Sequence, residues 1–504
     1  MDIRQILIEK AEKYPNKTAV VFEDSRISFS QLKDQVFKVA GYCAGRGVSK
    51  SDKIALFLPN SLEAAYSYLG VLALGGVIVP LDFMLTEAEI THFINHSESK
   101  LLIIQPKKGI DLSRIKASCP GLADILVCQE KVEGFSFWPE AIESSKPEEP
   151  ASRIDPSDPS AIFYTSGSTG HPKGVLLTYR HFDNCPRSMN HFLELSSEDI
   201  IFCSGLPFSH IGGFDYFLVM LDLGCTLVFI QRFRPLEVLR KIAQEKVTFS
   251  WMVPPMYVAI LSLKEADKFD LSSLRYVNVF GAPSSPDLLR RFHQLCPNAH
   301  LLNGWGMTET AAPNCYLPPG FTDVSSIGKF TPGLETKIVD DLGTTQPVGA
   351  QGELWVRGEP VMTGYYKEPG LTAEAMTEDG WLKTGDIAKF DEQDLCYIVG
   401  RKKDMIKVGG EIVFSAEVEE KIHCHPKVKE VGVIGVSDTL RGEVPKAFIV
   451  PHDGQSLGQE ELRDFLKEHL AHFKLPHHYE FLTEIPKNRA GKIDKQFLRK
   501  AGEN

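Results

Sequence analysis

Short apolar runs rich in β-branched residues alternate with longer amphipathic stretches over most of the chain. No other feature limits its fold as strongly. KIALFLP (53–59), KLLIIQP (100–106), ADILVC (123–128), CTLVFI (225–230) and VTFSWMVP (247–254) are each of strand length. Between them lie SLEAAYSYLGVLAL (61–74) and PLEVLRKIAQEK (235–246), with apolar residues at helical spacing. Strands that alternate with helices form parallel-type sheets covered by helices, an α/β architecture. Near residue 333 the pattern changes. GLETKIVDD, GELWVRG and DLCYIVG are short runs parted by Gly and Asp turns, which predicts a small antiparallel β subdomain. The charged, glycine-bounded run GRKKDMIKVGG (400–410) reads as a hinge. Beyond it the sequence predicts a helix from Ser415 to about His423, with Ser415 as its N-cap. Strands at 430–436 and in KAFIV follow, then a helix from about Gln459 to Phe473. The expected division is a large N-terminal domain, 1–400, and a small mobile α+β C-terminal domain, 401–504.

Composition removes several classes. The 504 residues are 43% hydrophobic and 24% charged, as in ordinary globular enzymes. A formal charge of −11 argues against a nucleic-acid binder, which would be basic. The acidic excess sits in 1–400, while 401–504 is close to balance. The longest near-apolar run, Leu69 to Leu81, is interrupted by glycines and falls short of the ~20 residues a membrane span needs. The N-terminus is charged and amphipathic, without a secretory apolar core. Ten cysteines without any C-x-x-C pair point to reduced packing thiols and a cytoplasmic protein.

The segment AIFYTSGSTGHPKGV (161–175) joins a strand-like run to a loop rich in glycine and hydroxyl groups, ending at Lys173. Glycines allow backbone N–H groups to turn toward an anion, and Thr165, Ser166, Ser168, Thr169 and Lys173 add donors and charge. A polar surface turn is the plainer alternative. The loop is not a Walker A motif, because G-x-x-x-x-G-K-[ST] is absent. YTSGSTGHPKGV closely resembles the signature of the adenylate-forming superfamily, which includes acyl-CoA synthetases, adenylation domains of peptide synthetases and luciferases. Further motifs follow in the family's order over essentially the whole chain. In that family the loop (here Thr165, Ser166, Gly167, Ser168, Thr169, Gly170 and Lys173) wraps the β- and γ-phosphates of ATP.

The resemblance assigns roles to the remaining motifs. LPFSHIGG (206–213) is similar to an element whose histidine, here His210, sits where acyl group and pantetheine meet; a packed core histidine is the alternative. VFGAPSS (279–285) resembles the adenine-binding turn, with Gly281, Ala282 and Pro283. In NGWGMTET (303–310), Gly304 and Gly306 flank Trp305, so the indole is expected to lie flat on a purine; a buried Trp beside an acidic turn is the other reading. Thr308 offers a hydroxyl to the α-phosphate. Glu309 suits Mg²⁺, which takes one or two carboxylates with phosphate oxygens. Asp386 in WLKTGD would accept from ribose hydroxyls, although Asp after Gly is commonly turn chemistry, and Arg401 would reach the same ribose.

Lys492 in PKNRAGKID follows a glycine; in the family it bridges the substrate carboxylate and the α-phosphate, where a fixed cation offsets the repulsion of two anions. A solvated loop lysine is the plain alternative. Lys403 falls at the family's hinge, and Gly409 and Gly410 would pack against a pantetheine arm. Ser415 replaces a proline frequent in the family.

The implied reaction activates a carboxylic acid as acyl-AMP with release of pyrophosphate, then transfers the acyl group to CoA. ATP and CoA are co-substrates and Mg²⁺ the metal. Ile211 stands where amino-acid-activating relatives carry an Asp, which argues against an amino acid, and Asp215 is too far along to replace it. Beside His210, the expected pocket residues Phe208, Ile211, Phe214, Trp251, Gly281, Gly304 and Ala311 are apolar or small. They point to a medium- or long-chain fatty acid or an aryl acid. A carrier-protein phosphopantetheine is the alternative acceptor, and a homo-oligomer is left open. From another class, GQSLG (454–458) fits the G-x-S-x-G nucleophile elbow through Ser456, but Pro451, His452 and Asp453 break the tight turn that elbow needs. Ser456 also fits an S-x-x-Q capping box with Gln459.

Overall fold

A computed structural model describes residues 1–165, 172–281, 286–321, 323–487 and 493–502. The apolar runs become two large sheets. An eight-stranded sheet runs Gly364–Tyr365, Lys173–Thr178, Pro159–Thr165, Val77–Pro80, Lys53–Phe57, Leu101–Ile104, Asp124–Val127, Ser136–Phe137. From Pro159–Thr165 to Ser136–Phe137 all neighbours are parallel. A nine-stranded sheet has a parallel centre, His300–Trp305, Tyr276–Val279, Phe249–Met252, Ile200–Cys203, Thr226–Phe229 and Thr18–Phe22, with antiparallel strands at both edges. Leu101–Ile104 is buried at every position, as strands covered by helices on both faces must be.

The helices between strands begin where the sequence supplies a cap. The Ser61 hydroxyl accepts from the Ala64 N–H at the start of Leu62–Ala73, and Thr86 with Glu89 forms a reciprocal capping box. The expected helices at 61–74 and 235–246 appear as Leu62–Ala73 and Pro235–Glu245. The region after 333 forms a four-stranded antiparallel sheet, Leu334–Val339, Gly352–Gly358, Leu382–Phe390, Cys396–Arg401. The last sheet is built from Met405–Val408, Glu411–Phe414, Val428–Asp438, Gly442–Pro451 and His478–Phe481, packed with helices Ser415–His423 and Gln459–Lys467.

Four local expectations are corrected. The helix from Gln459 ends at Lys467, not near Phe473, because the chain leaves the helix to bury Leu470 and Leu475 beside Leu462 and Leu466. Ser415 is the first residue of its helix and Phe414 the cap; the Ser415 hydroxyl accepts instead from Lys495 Nζ at 2.8 Å. That lysine opens a terminal helix, Lys495–Gly502, which the sequence reading did not foresee. Asp386 lies inside a strand, not in a turn. Neither reading of Ser456 survives: Gly458 caps the helix without a side-chain bond, and the described residues give the Ser456 hydroxyl no hydrogen bond. All ten cysteines are free thiols, and Cys424 alone is exposed. Among the described residues no helix is long and apolar enough to cross a membrane.

Candidate active site

Parallel sheets leave the carboxyl ends of their strands free to carry polar loops. Both large sheets do so here. Thr165 ends Pro159–Thr165, and Asp82 follows Val77–Pro80. In the other sheet His210 follows Ile200–Cys203, Gly281 follows Tyr276–Val279, and Thr308 and Glu309 follow His300–Trp305. Thr165 pairs with Lys173 across antiparallel strands. Ser166, Gly167, Ser168, Thr169, Gly170, Ala282, Pro283 and Lys492 lie outside the described residues.

Lys173 Nζ stands 4.9 Å from the centre of the Tyr365 ring. The Tyr365 hydroxyl donates to Glu309 Oε1 at 3.0 Å. Glu309 is only 8% exposed, and burial pushes its pKa up against the opposing pull of Tyr365, Arg401 and Lys173. Arg401 Nε in turn lies 2.6 Å from Asp386 Oδ1, and Trp305 Nε1–H donates to Asp386 Oδ2 at 2.8 Å. Asp386 and Arg401 face each other across neighbouring strands, which fixes this pair by register. Lys173, Glu309, Trp305, Asp386 and Arg401, far apart in sequence, therefore form one connected group. His210 caps the helix Ile211–Leu223 and its Nε2 sits 3.2 Å from Asp82 Oδ2.

Residues 7–366 match the AMP-binding enzyme family and residues 417–492 the AMP-binding enzyme C-terminal domain. The chain belongs to the AMP-binding enzyme family. It is 32% identical to the 4-coumarate–CoA ligase-like 9 of Arabidopsis thaliana, covering 94% of this chain and 84% of that protein. It is 30% identical to a long-chain-fatty-acid–CoA ligase of Bacillus subtilis, covering 98% and 94%. Among solved structures, an anthranilate CoA ligase in complex with anthranoyl-AMP superposes with TM-score 0.93 at 28% identity, covering 100% and 97%. The relatives are acid–CoA ligases, the enzyme class expected from the sequence.

Against that family background, several residue expectations change. Trp305 does not offer an open face to a purine: its ring is 8% exposed, packs edge-on against Phe330 and holds Asp386. Gly306 serves internal packing, because a Cβ there would come within 2.7 Å of Ala312 Cβ. Asp386 is 2% exposed and both its oxygens are engaged within the protein. Phe208 and Phe214 do not line a pocket. They are fully buried with Tyr68, Phe163, Phe182, Phe217 and Phe229, because the largely apolar helix Ile211–Leu223 and the segment before it pack their rings into the core.

Ile211 remains partly exposed at the helix start. Trp251 donates through Nε1 to the Gly212 carbonyl and stacks on Tyr216. Ala311 is buried with φ +44 and its carbonyl accepts from Asn184, so it is held by the core. Gly409 and Gly410 form the two-residue turn of a hairpin with positive φ at both positions, which itself demands glycine. A Cβ on either would meet nothing within 4 Å.

Tyr365 and Asp82 escaped the sequence reading. Neither sits in a motif that names a chemistry, and only folding brings them to Glu309 and His210.

Proposed function

We propose that the chain is an ATP-dependent carboxylic acid–CoA ligase. It makes an acyl-adenylate with release of pyrophosphate, then passes the acyl group to CoA. The convergence of Lys173, Glu309, Asp386 and Arg401 beside the carboxyl end of His300–Trp305 carries this reading. Two cations beside a buried carboxylate form a site for a polyphosphate with its counter-ion. Lys173, Thr165 and the 166–170 loop take the terminal phosphates. Gly281, Ala282, Pro283 and Gly304 border the base, and Arg401, held in place by Asp386, meets the ribose. Thr308 meets the α-phosphate.

Mg²⁺ is tested by the donors present. Among the described residues no cluster of three or more His, Cys, Asp or Glu could hold a metal alone. Mg²⁺ in nucleotide sites usually needs only one or two carboxylates plus phosphate oxygens. Glu309 fits: its carboxylate is buried, Oε1 takes the Tyr365 hydroxyl, and a bound cation would offset its burial. When bound, the ion supplies charge neutralisation on the phosphates.

The acid is a monocarboxylate with a largely apolar body, alkyl or aryl. Ile211, Gly212 and Trp251 offer it an apolar entrance. His210, oriented by Asp82, stands at the junction of acyl group and thiol. The named CoA ligases among the relatives favour CoA over a carrier protein. Residues 401–504 act as a mobile unit that turns about Lys403 between the two half-reactions, with Lys492 serving the first and the Gly409–Gly410 turn the second.

The test is carboxylate-dependent exchange of labelled pyrophosphate into ATP over a panel of alkyl and aryl acids. Exchange with at least one acid is expected. Lys492→Ala should lower it by on the order of 10²–10³ while still forming thioester from preformed acyl-AMP. A Lys492→Ala variant that exchanges normally removes that lysine from the chemistry.

A further inference from the structure

The helix Ile211–Leu223 is apolar except at Asp215 and Asp222. Asp222 lies near its end and accepts from Asn190. Asp215 is different. It is 3% exposed, and among the described residues its carboxyl has no hydrogen-bond or ion-pair partner. A carboxyl buried without a partner is costly unless something else satisfies it. Burial alone pushes its pKa well above the carboxylate range.

Its position says what that partner is. Asp215 is four residues after Ile211 and three after Gly212, so all three share one helix face. Gly212 leaves room on that face: a Cβ there would meet only Trp251 Nε1, at 4.0 Å. Opposite lies one face of the nine-stranded sheet. Trp251 pairs with Asn278, Asn278 with Leu302, and Gly304, two residues on, with Tyr316. A Cβ on Gly304 would lie 3.5 Å from Asn278 Oδ1, which confirms the shared face.

This sheet face carries two further unsatisfied groups. Asn278 Oδ1 is sealed from solvent without a partner. The Tyr316 hydroxyl, on a residue 1% exposed, has no hydrogen bond among the described residues. Burial pushes the Tyr316 pKa up, and Cys185 and Asp215 add to it. Asp215, one helical turn beyond Ile211, and Asn278 and Tyr316 on this sheet face are thus three buried polar groups for which the described residues give no partner.

We propose that the acid accepted here carries a hydrogen-bond donor, an amine or a hydroxyl, on the part of its tail remote from the reacting carboxyl, and that Asp215 receives it with Asn278 and Tyr316 alongside. This inference rests on the acyl-adenylation reading and narrows its substrate. A plain fatty acid would leave all three groups unsatisfied. A site built around buried polar groups rejects the analogue that lacks the matching donor far more strongly than an apolar pocket rejects one methylene.

Matched acids differing in one group test it: 4-amino-, 4-hydroxy- and 4-methylbenzoate, and 6-amino-, 6-hydroxyhexanoate and heptanoate. Each is assayed by pyrophosphate exchange with the full-length protein. In at least one set the donor-bearing acid should exceed its methyl partner in kcat/KM by ~10²-fold or more. Asp215→Leu should level or reverse that ranking, and Asp215→Asn should keep part of the hydroxyl preference. Loss of ranking with retained exchange of the methyl acids separates selectivity from misfolding. Methyl acids equal or better in both sets, or a preference unchanged in Asp215→Leu, overturns the inference and leaves adenylation standing. No exchange with any acid overturns adenylation, and this inference with it.

Discussion

A carboxylate as deeply buried as Glu309 opposes its own charge. Tyr365, Arg401 and Lys173 favour the ionised form, yet burial outweighs them and its folded pKa is raised. A raised carboxyl pKa gives stability that is full below the unfolded value, ~4.3, and is lost as pH rises through the folded value. Glu309→Gln removes that loss and keeps an acceptor for Tyr365. Without ligand, the variant should therefore melt higher than wild type at pH 8, with the gap closing as pH falls toward 4. It should also lose most Mg²⁺-dependent exchange. Thermal unfolding across that range checks the sign, and a variant less stable at pH 8 refutes it. The residue type of Glu309 was legible because W-G-x-T-E names a carboxylate beside a glycine-flanked Trp. The role of Trp305 was not. An indole can stack on a base or hold a carboxylate by its N–H, and only the position of Asp386 decides between them.

At the scale of elements, the antiparallel pair Leu382–Phe390 and Cys396–Arg401 sets Asp386 against Arg401. Asp386→Ala would leave the buried Trp305 N–H without its acceptor and Arg401 without its partner. That should cost about 2–3 kcal/mol in urea unfolding, as lost partners of buried polar groups do. Trp305→Phe, which removes the donor as well, should recover part of this in the double variant. Additive losses would mean that the two residues do not share this bond. The alternation of strand and helix was legible because its periods are carried by neighbouring residues. The Gly409–Gly410 turn was equally local. The ends of the Gln459 helix were less so, because Leu470 and Leu475 find a better place in the core outside it. The strand character of LKTGD was hidden by a Gly-Asp pair that usually marks a turn.

Across the molecule, ion pairs divide residues 402–404, the segment proposed as the hinge. Lys402 Nζ pairs with Glu353 at 3.1 Å and Asp341 at 3.4 Å, both on the side of the antiparallel sheet. Asp404 pairs with Arg499 of the terminal helix at 2.7 Å, and the Lys403 carbonyl accepts from the same guanidinium at 3.0 Å. Lys403 itself is exposed between residues tied to opposite sides. Proline there fixes φ and restricts Lys402. Lys403→Pro should spare pyrophosphate exchange and slow thioester formation from acyl-AMP by roughly tenfold or more, since only the second step needs the turn. Equal loss in both half-reactions would place the pivot elsewhere.

The sequence by itself determined the α/β class and the family and named most residues of the candidate site, because periodicity and contiguous motifs are local properties. Tertiary structure alone decided which of those residues face each other. Asp386 beside Trp305, Tyr365 on Glu309, Asp82 at His210 and Asp215 one turn below Ile211 are contacts across dozens to hundreds of positions, or consequences of which helix face is turned inward. Phe208 and Phe214 show the same limit from the other side. Their aromatic character suits a pocket or a core equally, and only packing against Tyr68 and its neighbours made them core.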